Sequence, residues 1–138
     1  DAEERYQESL YQYALTAMQN EVTQEILDSL NELPKNYKDV SNITKTLKKY
    51  IAYVGEYKWY SSNDKEVNDQ GGFEDHIFVK LVYDNGSAIL SVDGNTIDLR
   101  NLSYKSGTNS NSYDLRNNST LTRTLNGKVH TYKKIIKD

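Results

Sequence analysis

The 138-residue chain has no cysteine, a single proline, one tryptophan, one methionine and two phenylalanines. Without cysteine there are no disulfides, no thiolate zinc sites and no cysteine nucleophile. The same absence leaves the compartment open, because it withdraws one argument for an oxidising one and supplies none for a reducing one. No apolar run approaches the roughly 18 residues of a membrane-spanning helix, and no secretory leader is legible. Position 1 is Asp rather than an initiator Met, so it reads as a processed or trimmed end, which leaves room for a removed leader or membrane anchor upstream. A basic excess is lacking too. A formal net charge of -3 offers no electrostatic footprint for nucleic acid.

What the chain does have is tyrosine, twelve of them. Only 36% of the residues are apolar, and the aromatic rings supply the large, partly apolar surface from which a core can be built where leucine and valine are few. The length suits one domain over residues 1–138. Charge is divided unevenly along it. Residues 1–33 hold eight acidic side chains against Arg5 alone, a net of -7, whereas the remainder holds 16 basic and 12 acidic residues, a net of +4. An acidic helix docking on a mildly basic body fits that division.

From Tyr6 to Leu33, the residues Tyr11, Leu15, Met18, Val22, Ile26, Leu30 and Leu33 fall on one stripe when placed at about 100° per residue. This spacing predicts one long amphipathic helix within residues 1–33, with Asp1, Glu3 and Glu4 favoured at its start by the macrodipole and Pro34 as its stop. A second patch, Tyr6, Leu10, Tyr13 and Ala17, lies roughly 120° from the stripe and occurs only in the first half. It either packs under a later segment or serves as a partner-binding surface. Val40, Ile43, Leu47, Tyr50, Ile51 and Val54 repeat the three-and-four spacing, which predicts a second helix over 41–54 with Ser41 as its N-cap. Its Lys45, Lys48 and Lys49 suit an antiparallel pairing with the acidic first helix.

Beyond residue 55 the period changes to two. Glu56–Tyr60 reads as a short strand and 61–72 as a polar loop. A meander follows, His76 to Tyr83, Ala88 to Val92 and Thr96 to Tyr104, with turns at Asp84-Asn85-Gly86 and Asp93-Gly94-Asn95. Residues 105–112 read as a loop. Leu121 to Leu125, Asn126-Gly127 and Val129 to Ile136 give the clearest two-residue hairpin signal. The expected fold is α+β: a long N-terminal helix plus a second helix packed on an antiparallel meander of about 4–6 strands, residues 56–138.

Chemical motifs are few. Glu74-Asp75-His76 groups three metal-ligating residue types, but neighbours on a strand point to opposite faces. Neither Asp-Asn-Gly nor Asp-Gly-Asn has the spaced oxygens of a calcium loop. No G-x-S-x-G elbow accompanies His76 or His130, and Gly71-Gly72 opens no helix as a phosphate loop does. The expectation is a non-enzymatic protein with no cofactor and no metal. Tyr50, Tyr53, Tyr57, Trp59 and Tyr60 form the densest aromatic cluster, which either lines the core or offers a contact surface through Tyr57, Trp59 and Tyr60.

The plan of a long N-terminal helix followed by a meander, together with Ser112-Tyr113-Asp114-Leu115 and the run from Leu121 to Lys128, which fits L-x-R-x-x-N-G, weakly resembles the soluble domain of a type IV minor pilin or pseudopilin. The resemblance implies an extracytoplasmic, cell-surface or secreted domain of a membrane-anchored bacterial protein. Asn, Lys and Tyr richness suggests a Gram-positive source. Such a domain acts by protein contact or homo-assembly through its N-terminal helix, and meets the membrane only through a segment preceding Asp1. Two other classes fit the same residues: a cystatin-like or NTF2-like cone binding a small ligand, and a phage or plasmid immunity-type binding protein.

Overall fold

The computed structural model describes residues 1–62, 65–66, 76–106 and 111–136. The chain forms two compact units, the first comprising Asp1–Ala52 with Leu81–Ile89, the second Tyr53–Lys80 with Leu90–Asp138.

The first unit is built on three helices, α1 (Ala2–Met18), α2 (Gln24–Asn31) and α3 (Val40–Ile51). The expected continuous helix is therefore interrupted, and the interruption has a local cause. Thr23 adopts extended backbone (φ -116°, ψ 163°) and its hydroxyl accepts from the Ile26 amide, making it the N-cap of a new helix. Just before it, the Val22 amide donates to the Leu81 carbonyl at 2.7 Å, a bond that a helix interior would have taken for itself. The apolar stripe survives the break: Tyr11, Met18, Val22, Leu30 and Leu33 are all buried, with Leu15 and Ile26 half-buried. α3 starts at Val40 with Asp39, not Ser41, in the cap position. α2 packs on both α1 and α3, in place of the expected antiparallel pairing of the second helix with one long first helix.

The second unit is built on an antiparallel sheet, two of whose strands continue into residues 81–89 of the first. Its strands are β1 (Gly55–Ser62), β2 (Lys65–Glu66), β3 (His76–Asp84), β4 (Ser87–Val92), β5 (Asn95–Thr96), β6 (Ser103–Lys105), β7 (Asn111–Asn117), β8 (Thr120–Leu125) and β9 (Lys128–Lys134). The strand path is β5-β4-β3-β1-β9-β8-β7-β6, with β2 attached to β1. Its two ends are brought together by the bridge between Asp98 and Ser103, so eight strands form a nearly closed, barrel-like sheet. That corrects the expected fold, which had a long helix over 4–6 strands. The 96–104 strand is split, because 97–102 turns instead of running straight: the Leu102 amide returns to the Asp98 carbonyl at 2.7 Å and Leu102 itself sits at φ 55°. Part of the expected 105–112 loop is strand, since β7 opens at Asn111.

Tight turns join the strands as their residues demand. Asn85-Gly86, Asp93-Gly94 and Asn126-Gly127 all have positive φ at both positions, the geometry whose twist matches that of the flanking strands. Inside the second unit, Tyr57, Ile77, Val79, Leu121 and Tyr132 are essentially inaccessible.

Candidate contact surface

On α1 the outer patch is where the helical spacing put it, and its members differ in exposure. Tyr6 and Tyr13 are 61% and 62% exposed. Leu10 and Ala17 are half-buried beside them. At about 100° per residue the four lie within roughly 60° of one another, so they form one stripe along the helix, and the buried Tyr11, Ala14 and Met18 face another direction. The Asp1 carboxylate accepts from the Glu4 amide at 2.8 Å and caps the helix start.

The orientation of this stripe is fixed from the other side of the helix by a polar cluster. Glu8 receives Lys38 Nζ at 2.7 Å, the Tyr37 hydroxyl and the Gln12 amide at 3.0 Å. The Lys38 ammonium, then the Tyr37 and Gln12 hydrogen bonds, hold the Glu8 carboxyl down at about 2. The same hydrogen bond pushes Tyr37 up to about 12. Next to it Tyr11 donates to the Asp39 carboxylate, and burial followed by that bond raises the Tyr11 phenol well above its ordinary range. The Tyr11 and Tyr37 rings meet edge-on at 5.7 Å, with Lys38 Nζ 4.9 Å from the Tyr11 centroid. The result is an α1 whose inner face is pinned by charge-assisted bonds to residues 37–39.

The second aromatic candidate does not come together. Tyr57 is fully buried, its hydroxyl donating to the Tyr53 carbonyl at 2.8 Å, so it belongs to the interior and cannot contribute to a contact surface. Trp59 is half-buried and its indole donates to Ser62 Oγ at 3.1 Å. Tyr60 is 44% exposed, with Lys133 Nζ 4.6 Å from its ring centroid. Strand alternation places it on the face opposite Tyr57 and Trp59.

His130 lies where β1 is irregular. The register shift between Trp59 and Ser61 sets Ser62 opposite His130, and Ser62 Oγ lies 2.6 Å from His130 Nδ1. Sequence reasoning missed this pair because a bulge exchanges the faces of Ser61 and Ser62, and nothing in Tyr60-Ser61-Ser62 marks a bulge. Burial, then the nearby Arg123 and Lys128 charges, push the imidazole below its usual value. At 4% exposed it fastens β1 to β9 through Ser62. His76 pairs with Glu56 through Nδ1, whereas Glu74, Asp75 and Gly71-Gly72 lie outside the described residues. Among the described residues no group of three or more His, Asp or Glu is placed to hold a metal ion, and no helix is long and apolar enough to cross a membrane.

No family model matches the chain, and neither does any curated protein or solved structure.

Proposed function

We propose that the protein is a non-enzymatic bacterial binding domain that works by protein–protein contact, with the outer stripe of α1 as its contact. The setting we propose is extracytoplasmic, in a surface or secretion assembly of the kind minor pilins serve. One observation carries the reading: two tyrosines on one helix stripe stand more than half exposed while the opposite side of that helix is pinned in place. Each ring leaves on the order of 100 Å² to cover, worth about 2 kcal/mol at an interface, which is the scale of a binding hot spot. Rigid presentation lowers the ordering cost of association. The strand-turn-strand ending over β8 and β9 supports the setting. The long-helix plan no longer does, so the proposal rests on the stripe.

The test places a photoreactive amino acid at position 6, 13 or 128 in the cells that make the protein. A discrete adduct common to positions 6 and 13 and missing at 128 is expected. No adduct from 6 and 13, or the same adduct from all three, overturns the reading. The double variant Tyr6→Ser/Tyr13→Ser should keep its stability within about 0.5 kcal/mol, as exposed sites do, while losing the adduct made from position 17.

A further inference from the structure

The first unit carries a second surface, independent of the α1 stripe. A groove of about 560 Å³ runs between α2 and α3, with Leu27 and Ile51 in its floor, Gln24 and Asn31 on the α2 wall and Lys45 and Lys48 on the α3 wall. Its lining contains lysines and no carboxylate. The carboxylates stand just outside it. Taking Leu27 as zero, Asn31 and Gln24 lie at about 40° and 60° around α2, Asp28 at about 100° and Glu32 and Glu25 at about 140° and 160°. The groove is therefore flanked by an acidic ridge on α2 and a basic ridge on α3.

Among the described residues these charges have no partner of opposite sign. Glu25, Asp28, Glu32, Lys45 and Lys48 are all exposed, and among the described residues none of them takes part in an ion pair; Asp28 accepts only the neutral Gln24 amide at 2.9 Å. We propose that this face is a dimer surface whose occupant is a second copy of the chain. A two-fold axis lying along the groove sets α2 of each copy opposite α3 of the other, so each acidic ridge meets a basic one twice over. A single-sign peptide fits worse, since one ridge attracts it and the other repels it. The face measures about 18 Å along α3 by about 20 Å across two helices. That is under half the roughly 800 Å² per partner of a standard interface, which makes the dimer weak and salt-sensitive.

Sedimentation equilibrium of the whole chain tests this, over concentrations up to about 1 mM at low and high salt. Expected is reversible monomer–dimer association that weakens at least about tenfold as the salt rises through the screening range. Lys45→Glu/Lys48→Glu and Asp28→Lys/Glu32→Lys should each be monomeric alone, because each makes both ridges of one sign. Mixed in equal amounts they should form a heterodimer tighter than the wild-type dimer. Monomeric wild type at the highest concentration overturns the proposal, as do charge variants that self-associate like wild type or a mixture that stays monomeric. Tyr6→Ser/Tyr13→Ser should dimerise normally. If it alone abolishes association, copies meet through α1 and the groove dimer is wrong, while the contact reading of α1 stands.

Discussion

Substituting Thr23 by Ala separates a broken helix from a continuous one by the sign of its effect. In the structure Thr23 is extended, and its Oγ1 accepts from the Ile26 amide at 3.2 Å at the head of the eight-residue α2. A helix that short gains little from propagation and depends on its cap and its packing. Removing the hydroxyl leaves the Ile26 amide without its partner, and N-cap Thr→Ala changes cost about 1 kcal/mol. Were residues 1–33 one helix, Thr23 would be an interior β-branched residue, and Ala there would stabilise by roughly 0.5 kcal/mol. The two cases thus differ by about 1.5 kcal/mol, well outside the error of urea denaturation followed by far-UV circular dichroism. Expected is a lower midpoint at unchanged slope, and a melting temperature lower by about 3 to 5 °C. Thr23→Ser, which keeps an acceptor oxygen, should recover most of the loss. A Thr23→Ala variant as stable as wild type, or more stable, refutes the capped break between α1 and α2.

Glu8 predicts an acid dependence. Its carboxyl titrates at about 2 in the folded chain against an ordinary value of 4.5, so its stabilising contribution is complete above about 4.5 and is lost as the pH falls from there to about 2. The stability gap between wild type and Glu8→Gln should close across that window, and a gap constant from pH 6 to pH 2 would count against the Lys38–Tyr37–Gln12 cluster. Tyr57→Phe should lower stability by about 1 kcal/mol in urea titration, because it deletes the hydrogen bond to the Tyr53 carbonyl and leaves the buried ring in place. A neutral outcome would mean that the carbonyl finds another donor.

Local chemistry was legible where a few neighbouring residues decide it. The three turns with Asn-Gly or Asp-Gly at their centre, the β8–β9 hairpin and the bulk of α3 follow from residues within reach of one another. The helix break was not, because periodicity is blind to it: Val22, Leu30 and Leu33 keep the stripe whether or not the axis bends at 19–23, and the deciding bond comes from Leu81, some sixty residues away. Thr23 alone was a visible cap signal. Sheet closure was hidden for a similar reason. β5 has two residues and β6 three, too short to read as strands, and it is the turn at 97–102 that folds the ends of the path together. On α1 the spacing of Tyr6 and Tyr13 identified the stripe, whereas the aromatic cluster at 57–60 was read as one feature although strand alternation divides it.

The division of the chain into a helical and a sheet unit bears on how it meets partners. In the sheet unit the path ends in very short strands tied by Asp98 and Ser103, so the described residues present no long free edge on which a foreign strand can pair. Helices satisfy their own backbones, and recognition on the helical unit therefore reads side chains alone. There the chemistry is split, aromatic on α1 and charged with both signs on α2 and α3. A weak dimer formed through α2 and α3 displays the α1 stripe twice. Two modest contacts on one particle then act at the effective concentration set by the dimer, so an assembly with repeated sites holds the pair far more firmly than either copy alone. If both proposals hold, the weakness of the groove contact is useful: the charged face would set when copies pair, and the tyrosines what the pair grips.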